Sequence, residues 1–351
     1  MPKRTGKLKV GIIGSGGIAQ GVHLPGWQRL KGDGVEVVAV CDINKSVAQE
    51  AARKFDVPKV YTDYRQMLRE QQLDIVDVCT PNAFHKGPTV AALQAGAHVI
   101  VEKPMAMTVA ECKAMNAAAK SARRKLMVAQ NARFETSSQA MRKFVDSGGL
   151  GEVYYARASA LRRRGIPGWG VFTNKALQGG GPMIDIGVHI LDLTLWLMGF
   201  PEPAYVSGVT YTKIGTRKGV GGMGDWDPKT YTVEDLASGL VRMKNGASIL
   251  IEASFALNVP QDEFRTMVCG TKGGLCSSPL TFIEENYDNI LNATPQFLGQ
   301  VQSHAEELRC FVEAIRKDLP SPVPGEQALI TQKILTGIYE SAEKGREVRI
   351  G

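Results

Sequence analysis

The residues of this chain best suited to chemistry stand on a segment that otherwise reads as core. Gly179–Gly199 is GGGPMIDIGVHILDLTLWLMG, in which three glycines and a proline suited to a first helical turn open an apolar helix. On it Asp185, His189, Asp192 and Trp196 recur at i, i+4, i+7 and i+11, and so share one face. A carboxylate and an imidazole on a buried helix are costly unless they are paired or used. Paired, they are a core histidine satisfied by Asp185. Used, they are an acid–base site, because the imidazole titrates nearest neutrality and can take the proton of an alcohol. The glycines, which let a ligand approach, favour the second.

Another charged site ends an apolar run. His98–Met107 reads HVIVEKPMAM, strand-like residues stopped by Glu102, Lys103 and Pro104. Alone, a lysine at a strand end is a solvated one. Its context argues for a cation delivered to a site. Upstream, VGIIGSGGIAQ carries a strand directly into Gly14, Gly16, Gly17, Ile18 and Ala19, a GxGxxA. The first glycine permits a tight turn, the second lets the backbone approach a pyrophosphate, and the small last residue lets helix and strand pack closely. The phosphate would sit on amides at the helix N-terminus. The next strand finishes on Asp42, 23 residues after Ala19, where a carboxylate binds ribose hydroxyls and repels a 2′-phosphate. The expected cofactor is therefore NAD, with NADP second because Lys45 softens the preference. A third strand runs into VCTPNAFH, whose Thr80, Pro81 and Asn82 form the βα loop bordering the cofactor. His85 opens the following helix, and a plain helix start is its competing account.

The elements that must position these residues follow two rhythms. Over the first 130 residues short apolar strands (8–13, 35–41, 75–79, 99–101, 126–129) alternate with helical segments (45–54, 64–70, 86–95, 109–120). That alternation predicts a doubly wound parallel sheet with right-handed crossovers, whose ligands bind beyond the carboxyl ends of the strands. Glu102 and Lys103 then fall on the working edge. After a helix at 137–147, the segments 153–161, 205–212, 236–243, 247–255 and 264–269 alternate with period two, and Lys244-Asn245-Gly246 reads as a hairpin turn. The expectation is an α/β chain: a domain over 1–130, then an α+β domain over 131–351 with a largely antiparallel open sheet. An amphipathic helix at about 326–344 is expected to pack near the first domain.

The bulk properties exclude several classes. With 351 residues, 44% hydrophobic and 22% charged, the chain is expected to be soluble and of more than one domain. No run approaches a membrane span, and the basic start MPKRTGKLKV leads into too short an apolar run for a signal peptide. The net charge of +7 is scattered, its densest clusters three residues long, which favours anionic ligands over nucleic acid. The six cysteines have neither CxxC nor metal-ligand spacing, so no metal is expected and a reducing cytoplasm is.

Taken together, GIIGSGGIA, CD at 41–42, TPNAFH, EKPMAMT, NARF at 131–134 and GGGPMIDIGVHILDL, in that order, resemble the glucose–fructose oxidoreductase / inositol dehydrogenase / MocA family of sugar and cyclitol dehydrogenases. The resemblance covers nearly the whole chain and implies a Rossmann fold for the first domain. It implies that Lys103, Asp185 and His189 form the catalytic group. His189 would take the hydroxyl proton as hydride leaves the same carbon for NAD, Lys103 would position and polarise the oxygen, and Asp185 would bind a neighbouring hydroxyl. Asn82, His85, Glu102 and Asn131 map to positions touching the cofactor. Arg164 and Trp169, in the loop RRRGIPGW, look like a substrate-pocket wall, with a solvated loop as the alternative. The glycine-rich stretch 213–229 reads as a mobile cover or an oligomer contact. The family implies homodimers or homotetramers and a polyol or sugar substrate. Two rival activities remain open: a glycosidase that cycles tightly held NAD, and a non-catalytic NAD-sensing regulator.

Overall fold

The computed structural model describes residues 6–351, so the first five residues, which belong to the basic start, lie outside the described residues. The chain divides into two compact units. The first comprises the described residues to Phe134 together with Gln302–Leu329, and the second comprises Glu135–Val301 and Ile330–Gly351. The return of 302–329 to the first unit has no counterpart in the boundary expected at residue 130.

In the first unit, strands β1 (Leu8–Ile13), β2 (Val35–Cys41), β3 (Lys59–Tyr61), β4 (Ile75–Val78), β5 (His98–Val101) and β6 (Leu126–Val128) form one parallel sheet. Its order is β3-β2-β1-β4-β5-β6. The order reverses between β1 and β4, and a ligand crevice opens at such a reversal. The crossovers are α1 (Leu24–Arg29), α2 (Lys45–Phe55), α3 (Tyr64–Glu70), α4 (Lys86–Gln94) and α5 (Val109–Ala122). Short polar side chains start several of them: Asn44 accepts from the Ser46 amide at 3.1 Å and Thr108 from the Glu111 amide at 3.2 Å. Residues of β1, β4 and β5 are buried on both faces, as strands covered by helices on each side must be.

The second unit opens with α6 (Thr136–Asp146), β7 (Val153–Leu161), α7 (Lys175–Gln178) and α8 (Val188–Leu197). Then come β8 (Pro203–Tyr211), β9 (Leu236–Met243), β10 (Ser248–Ser254), β11 (Glu263–Gly270), β12 (Gly273–Ser277), β13 (Leu280–Asn286) and β14 (Asn289–Ala293). After α9 (Ser303–Arg316), which belongs to the first unit, α10 (Gly325–Lys344) leads to β15 (Val348–Arg349). The nine-stranded sheet runs β14-β13-β12-β11-β7-β10-β9-β8-β15. It is antiparallel except for the β7–β10 pair. The expected hairpin joins β9 to β10, closed by Met243 N–H to Ala247 O at 2.8 Å with Gly246 at φ +89°. From Tyr205 along β8, and along β9, burial alternates, leaving Tyr205, Val209, Tyr211 and Leu240 on an open face. Helices cover the other face. Phe144 of α6 stacks on Phe282 of β13 at 4.6 Å, and the hydroxyls of Thr194 and Thr266 bond at 2.7 Å between α8 and β11.

Gly208 of β8 is where α10 crosses the sheet, since a Cβ there would meet the Ile338 backbone at 2.7 Å. Backbone cannot swing aside as a side chain can. Gly208→Ala is therefore expected to cost about 1–3 kcal/mol by overpacking, read as a lowered denaturant midpoint in equilibrium unfolding.

Candidate active site

The glycine loop is shaped at the sheet's reversal. Gly14 has φ +89°, and a Cβ on it would lie 2.6 Å from the Cys79 carbonyl carbon and 2.7 Å from the Thr80 nitrogen. Only glycine fits between β1 and the loop after β4. A Cβ on Gly16 or Gly17 would meet nothing within 4 Å, Gly17 is exposed, and Ile18 is 39% exposed. Their amides stand where a helix begins and intrahelical acceptors are lacking. Asp42, half-buried, accepts from Ser15 N and Asn44 N, both at 2.9 Å, and so ties the loop to the end of β2. The buried Thr80 hydroxyl has no partner among the described residues. An open backbone cradle, an acid at the β2 end and an orphaned hydroxyl beside them fit a dinucleotide.

The residues expected to line the nicotinamide side divide. Pro81 is exposed, Asn82 is buried, and Asn131 donates from Nδ2 to Ser303 Oγ at 3.1 Å, meeting the first turn of α9. Lys103 is half-buried behind a cis peptide to Pro104. His85 and Glu102, both expected to touch the cofactor, have their side chains held by contacts within the fold. The His85 ring nitrogens face two carbonyls, Nδ1 to Pro104 O at 2.9 Å and Nε2 to Thr80 O at 2.8 Å, and burial pushes its pKa down. His85 therefore braces two loops against each other. Glu102 accepts from the Lys103 amide at 2.9 Å through one oxygen, while its other oxygen lies 2.8 Å from His23 Nε2.

His23 escaped the sequence reading, as did its partners. It ends a π turn, Ala19–His23, in the helix after the glycine loop. Its Nδ1 lies 2.8 Å from Asp77 Oδ2, which also accepts from Trp27 Nε1 at 2.7 Å. Burial pulls the His23 pKa down, but the charge and hydrogen bond of Asp77 overcome it and lift it well above the ordinary value. Burial pushes Glu102 up, and the His23 hydrogen bond and charge, with Lys103, reverse this and hold it at about 2. On α9, burial raises the enclosed Glu307 carboxyl well above the carboxylate range, and burial also lowers His304. Partners separated by 54 and 79 residues leave no local pattern to read.

In the second unit a π turn, Met183–Gly187, precedes α8, and Asp185 lies inside it. From Gly181 to Leu195 every residue is buried except Asp185 and His189. Asp192, expected on the same face, is closed over at 1% exposure, whereas Trp196 is half-buried. Gly180 and Gly181, before this helix, are required by packing. A Cβ on Gly180 would strike the Tyr339 hydroxyl, and one on Gly181 would meet Glu234 O at 2.5 Å. Glu234, also unforeseen, accepts from Gly181 N at 2.9 Å and Met183 N at 3.3 Å, with the Tyr339 hydroxyl donating to it at 2.7 Å. A buried carboxylate thus caps the helix that presents Asp185 and His189.

Arg164 and Trp169 occupy different surroundings. The Arg164 guanidinium is spent on the carbonyls of Arg163 and Leu257 and on Asn258 Oδ1. Trp169 is 54% exposed and meets Phe172 edge-on. The 213–229 stretch is anchored rather than loose. Asp235 accepts the amides of Lys213, Ile214 and Gly215, and Trp226 Nε1 donates to Gly215 O at 2.7 Å. Gly168 lies against it, with Gly168 N donating to Met223 O at 2.8 Å.

Two outcomes follow from this geometry. Gly14→Ala forces a Cβ into backbone at positive φ and is expected to weaken NAD binding at least about tenfold, at a stability cost of roughly 1–3 kcal/mol, by titration calorimetry and thermal unfolding. Glu102 is held at about 2 against an ordinary 4.5, so the stability it adds is present above pH 4.5 and lost as pH falls toward 2. Urea midpoints of the wild type are therefore expected to fall more steeply over that range than those of Glu102→Gln.

Comparison with known proteins places these features together in one lineage. The oxidoreductase family with an NAD-binding Rossmann fold matches residues 8–130, and the C-terminal alpha/beta domain of the same family matches 142–350. D-glucoside 3-dehydrogenase of Escherichia coli K12 is 39% identical over 344 residues, 98% of this chain and 97% of that protein. D-apiose dehydrogenase of Paraburkholderia graminis is 27% identical over 98% of this chain and 90% of its own length. Among solved structures, the aldose-aldose oxidoreductase of Caulobacter crescentus, complexed with glycerol, superposes with a TM-score of 0.80 at 27% identity, covering 98% of this chain and 99% of that one. An oxidoreductase domain protein of Kribbella flavida reaches 0.87 at 26% identity, covering 99% and 100%. No helix among the described residues is long and apolar enough to cross a membrane. With a glycine cradle built for NAD and an Asp–His pair opened on a buried helix, the chain belongs to the glucose–fructose oxidoreductase / inositol dehydrogenase / MocA family of NAD-dependent oxidoreductases.

Proposed function

We propose that this oxidoreductase interconverts a secondary alcohol and a ketone on a sugar ring, with a D-glucoside or a related pyranoside as substrate. The observation that carries the reading is the opening of Asp185 and His189, alone between Gly181 and Leu195, on a helix otherwise sealed. The 39% identity to a D-glucoside 3-dehydrogenase along nearly the full length of both chains supports a pyranoside over a cyclitol. NAD, held on Gly14, Gly16, Gly17 and Asp42, supplies the hydride acceptor. His189 takes the hydroxyl proton as the carbon gives up its hydride, which leaves a ketone. Lys103 orients the same oxygen and stabilises its developing negative charge. Asp185 accepts a hydrogen bond from the adjacent hydroxyl and fixes which carbon reacts. Trp169, exposed, offers an apolar face to the sugar. The bracing contacts of Arg164 suit support of the pocket wall.

Assembly as a homodimer or homotetramer belongs to the same reading, supported by Tyr205, Val209, Tyr211 and Leu240 on the open face of the second sheet. A cytoplasmic setting is supported by six cysteines, all of them free.

A panel of D-glucosides, free aldoses and inositols tests the reading by NADH formation. Lys103→Ala and His189→Asn are each expected to lower kcat by about 10²–10⁴-fold while NAD affinity stays within about threefold. Full turnover of Lys103→Ala with cofactor bound would sink it. Glycoside cleavage without net NADH would point to the redox-cycling glycosidase.

A further inference from the structure

We propose that His23 is a positioning residue for this site: as an imidazolium clamped between Asp77 and Glu102, it sets through Glu102 the backbone from which Lys103 projects. The inference rests on the reading of Lys103 as the group that polarises the substrate oxygen.

The chemistry of the contacts fixes the charge of the ring. Nδ1 lies 2.8 Å from Asp77 Oδ2 and Nε2 lies 2.8 Å from Glu102 Oε1. Ionised carboxylates only accept, so both ring nitrogens must carry protons. Asp77 also accepts from Trp27 Nε1 at 2.7 Å and from Cys79 Sγ at 3.3 Å, so its oxygens face donors on every side. Glu102 likewise accepts the Lys103 amide on its second oxygen at 2.9 Å. The charged and titratable groups around the ring are Asp77 and Cys79 at the end of β4, Glu102 and Lys103 after β5, and Glu307 and His304 on α9. Burial raises the Glu307 carboxyl, and the carboxylates in contact with the ring are Asp77 and Glu102, beside the Lys103 cation. The group balances only while His23 is charged.

That balance governs Lys103 directly. The Glu102 amide donates to Val78 O at 2.9 Å, which leaves the side chain of Glu102 to hold the next amide. Without the imidazolium, Glu102 is a buried anion that must protonate or turn away. Either response removes or weakens the acceptor of the Lys103 amide. On the other side of Lys103, His85 Nδ1 meets Pro104 O, so both neighbours of the lysine are tied to buried histidines.

The test uses the NAD-bound enzyme with His23→Gln and Glu102→Gln. Nitrogen NMR of the wild type should show both His23 ring nitrogens protonated around neutral pH, and Glu102→Gln should shift that titration downward. Amide exchange at Lys103 should quicken at least about tenfold in His23→Gln, while the amides of β5 keep their protection. On a sugar that the wild type oxidises, kcat should fall about tenfold or more with KM changed less than about threefold. A neutral His23 ring at neutral pH, or an unchanged Lys103 amide, overturns the proposal, and so does exchange that quickens equally along β5, which marks a general loss of stability. Should no sugar yield NADH, or Lys103→Ala keep full turnover, the functional reading fails instead. The ring and amide measurements still judge the His23–Glu102–Lys103 link, because neither needs a substrate.

Discussion

A histidine held between two buried carboxylates, at the carboxyl edge of a parallel sheet, fixes the first unit's ligand-facing end. Asp77 is fully buried on a central strand, and Glu102 is nearly so at the end of the next. Neither position tolerates an uncompensated anion. His23 and Trp27 both come from the helix after the glycine loop, and both bond to Asp77. The helix after the glycine loop is thus fastened at its far side to β4 and, through Glu102, to β5. The elements around the sheet's carboxyl edge are tied to one ring.

The second unit solves a comparable problem with a single acid. Glu234 is 6% exposed and takes two amides at the start of the helix that presents Asp185 and His189. In each unit a buried acid grips backbone N–H groups, Glu102 the amide of Lys103 and Glu234 those of Gly181 and Met183. Glycines set the tolerances: Gly180 and Gly181 admit Tyr339 and Glu234 to within contact of the helix start.

Much of this was legible in the residues. The strands Leu8–Ile13, Val35–Cys41, Val153–Leu161 and Leu236–Met243 are bounded as their apolar runs and turn residues indicate. The glycine loop and the end of β2 carry their chemistry within one short span, and the Asp185–His189 pair announces itself as polarity on an apolar helix. Edge elements were harder. Lys59–Tyr61 is three residues long with only Tyr61 buried, and Asn289–Ala293 is exposed throughout, so burial imprints little periodicity on them. The supporting charges were silent for another reason. His23, Asp77 and Glu234 each look ordinary in place, and only the fold reveals that their partners lie tens of residues away. His85 and Glu102 show the converse, with motif residues read as ligand contacts that the fold turns inward to hold its own loops.

The two π turns have a consequence for how this chain can vary. Ala19–His23 ends on the histidine that joins Asp77 to Glu102, and Met183–Gly187 contains Asp185. A π turn is an α-helix carrying one surplus residue, accommodated as a local widening. Deleting a residue within either segment would remove the surplus and restore a regular α-helix, leaving the flanking turns in place but re-aiming the side chains inside the turn. His23, at the end of the first turn, would be moved off its carboxylates, and Asp185, inside the second, would lose its present direction. The spacing of these two stretches is therefore constrained by count as well as by identity, and the chain can exchange side chains there more readily than it can gain or lose a residue.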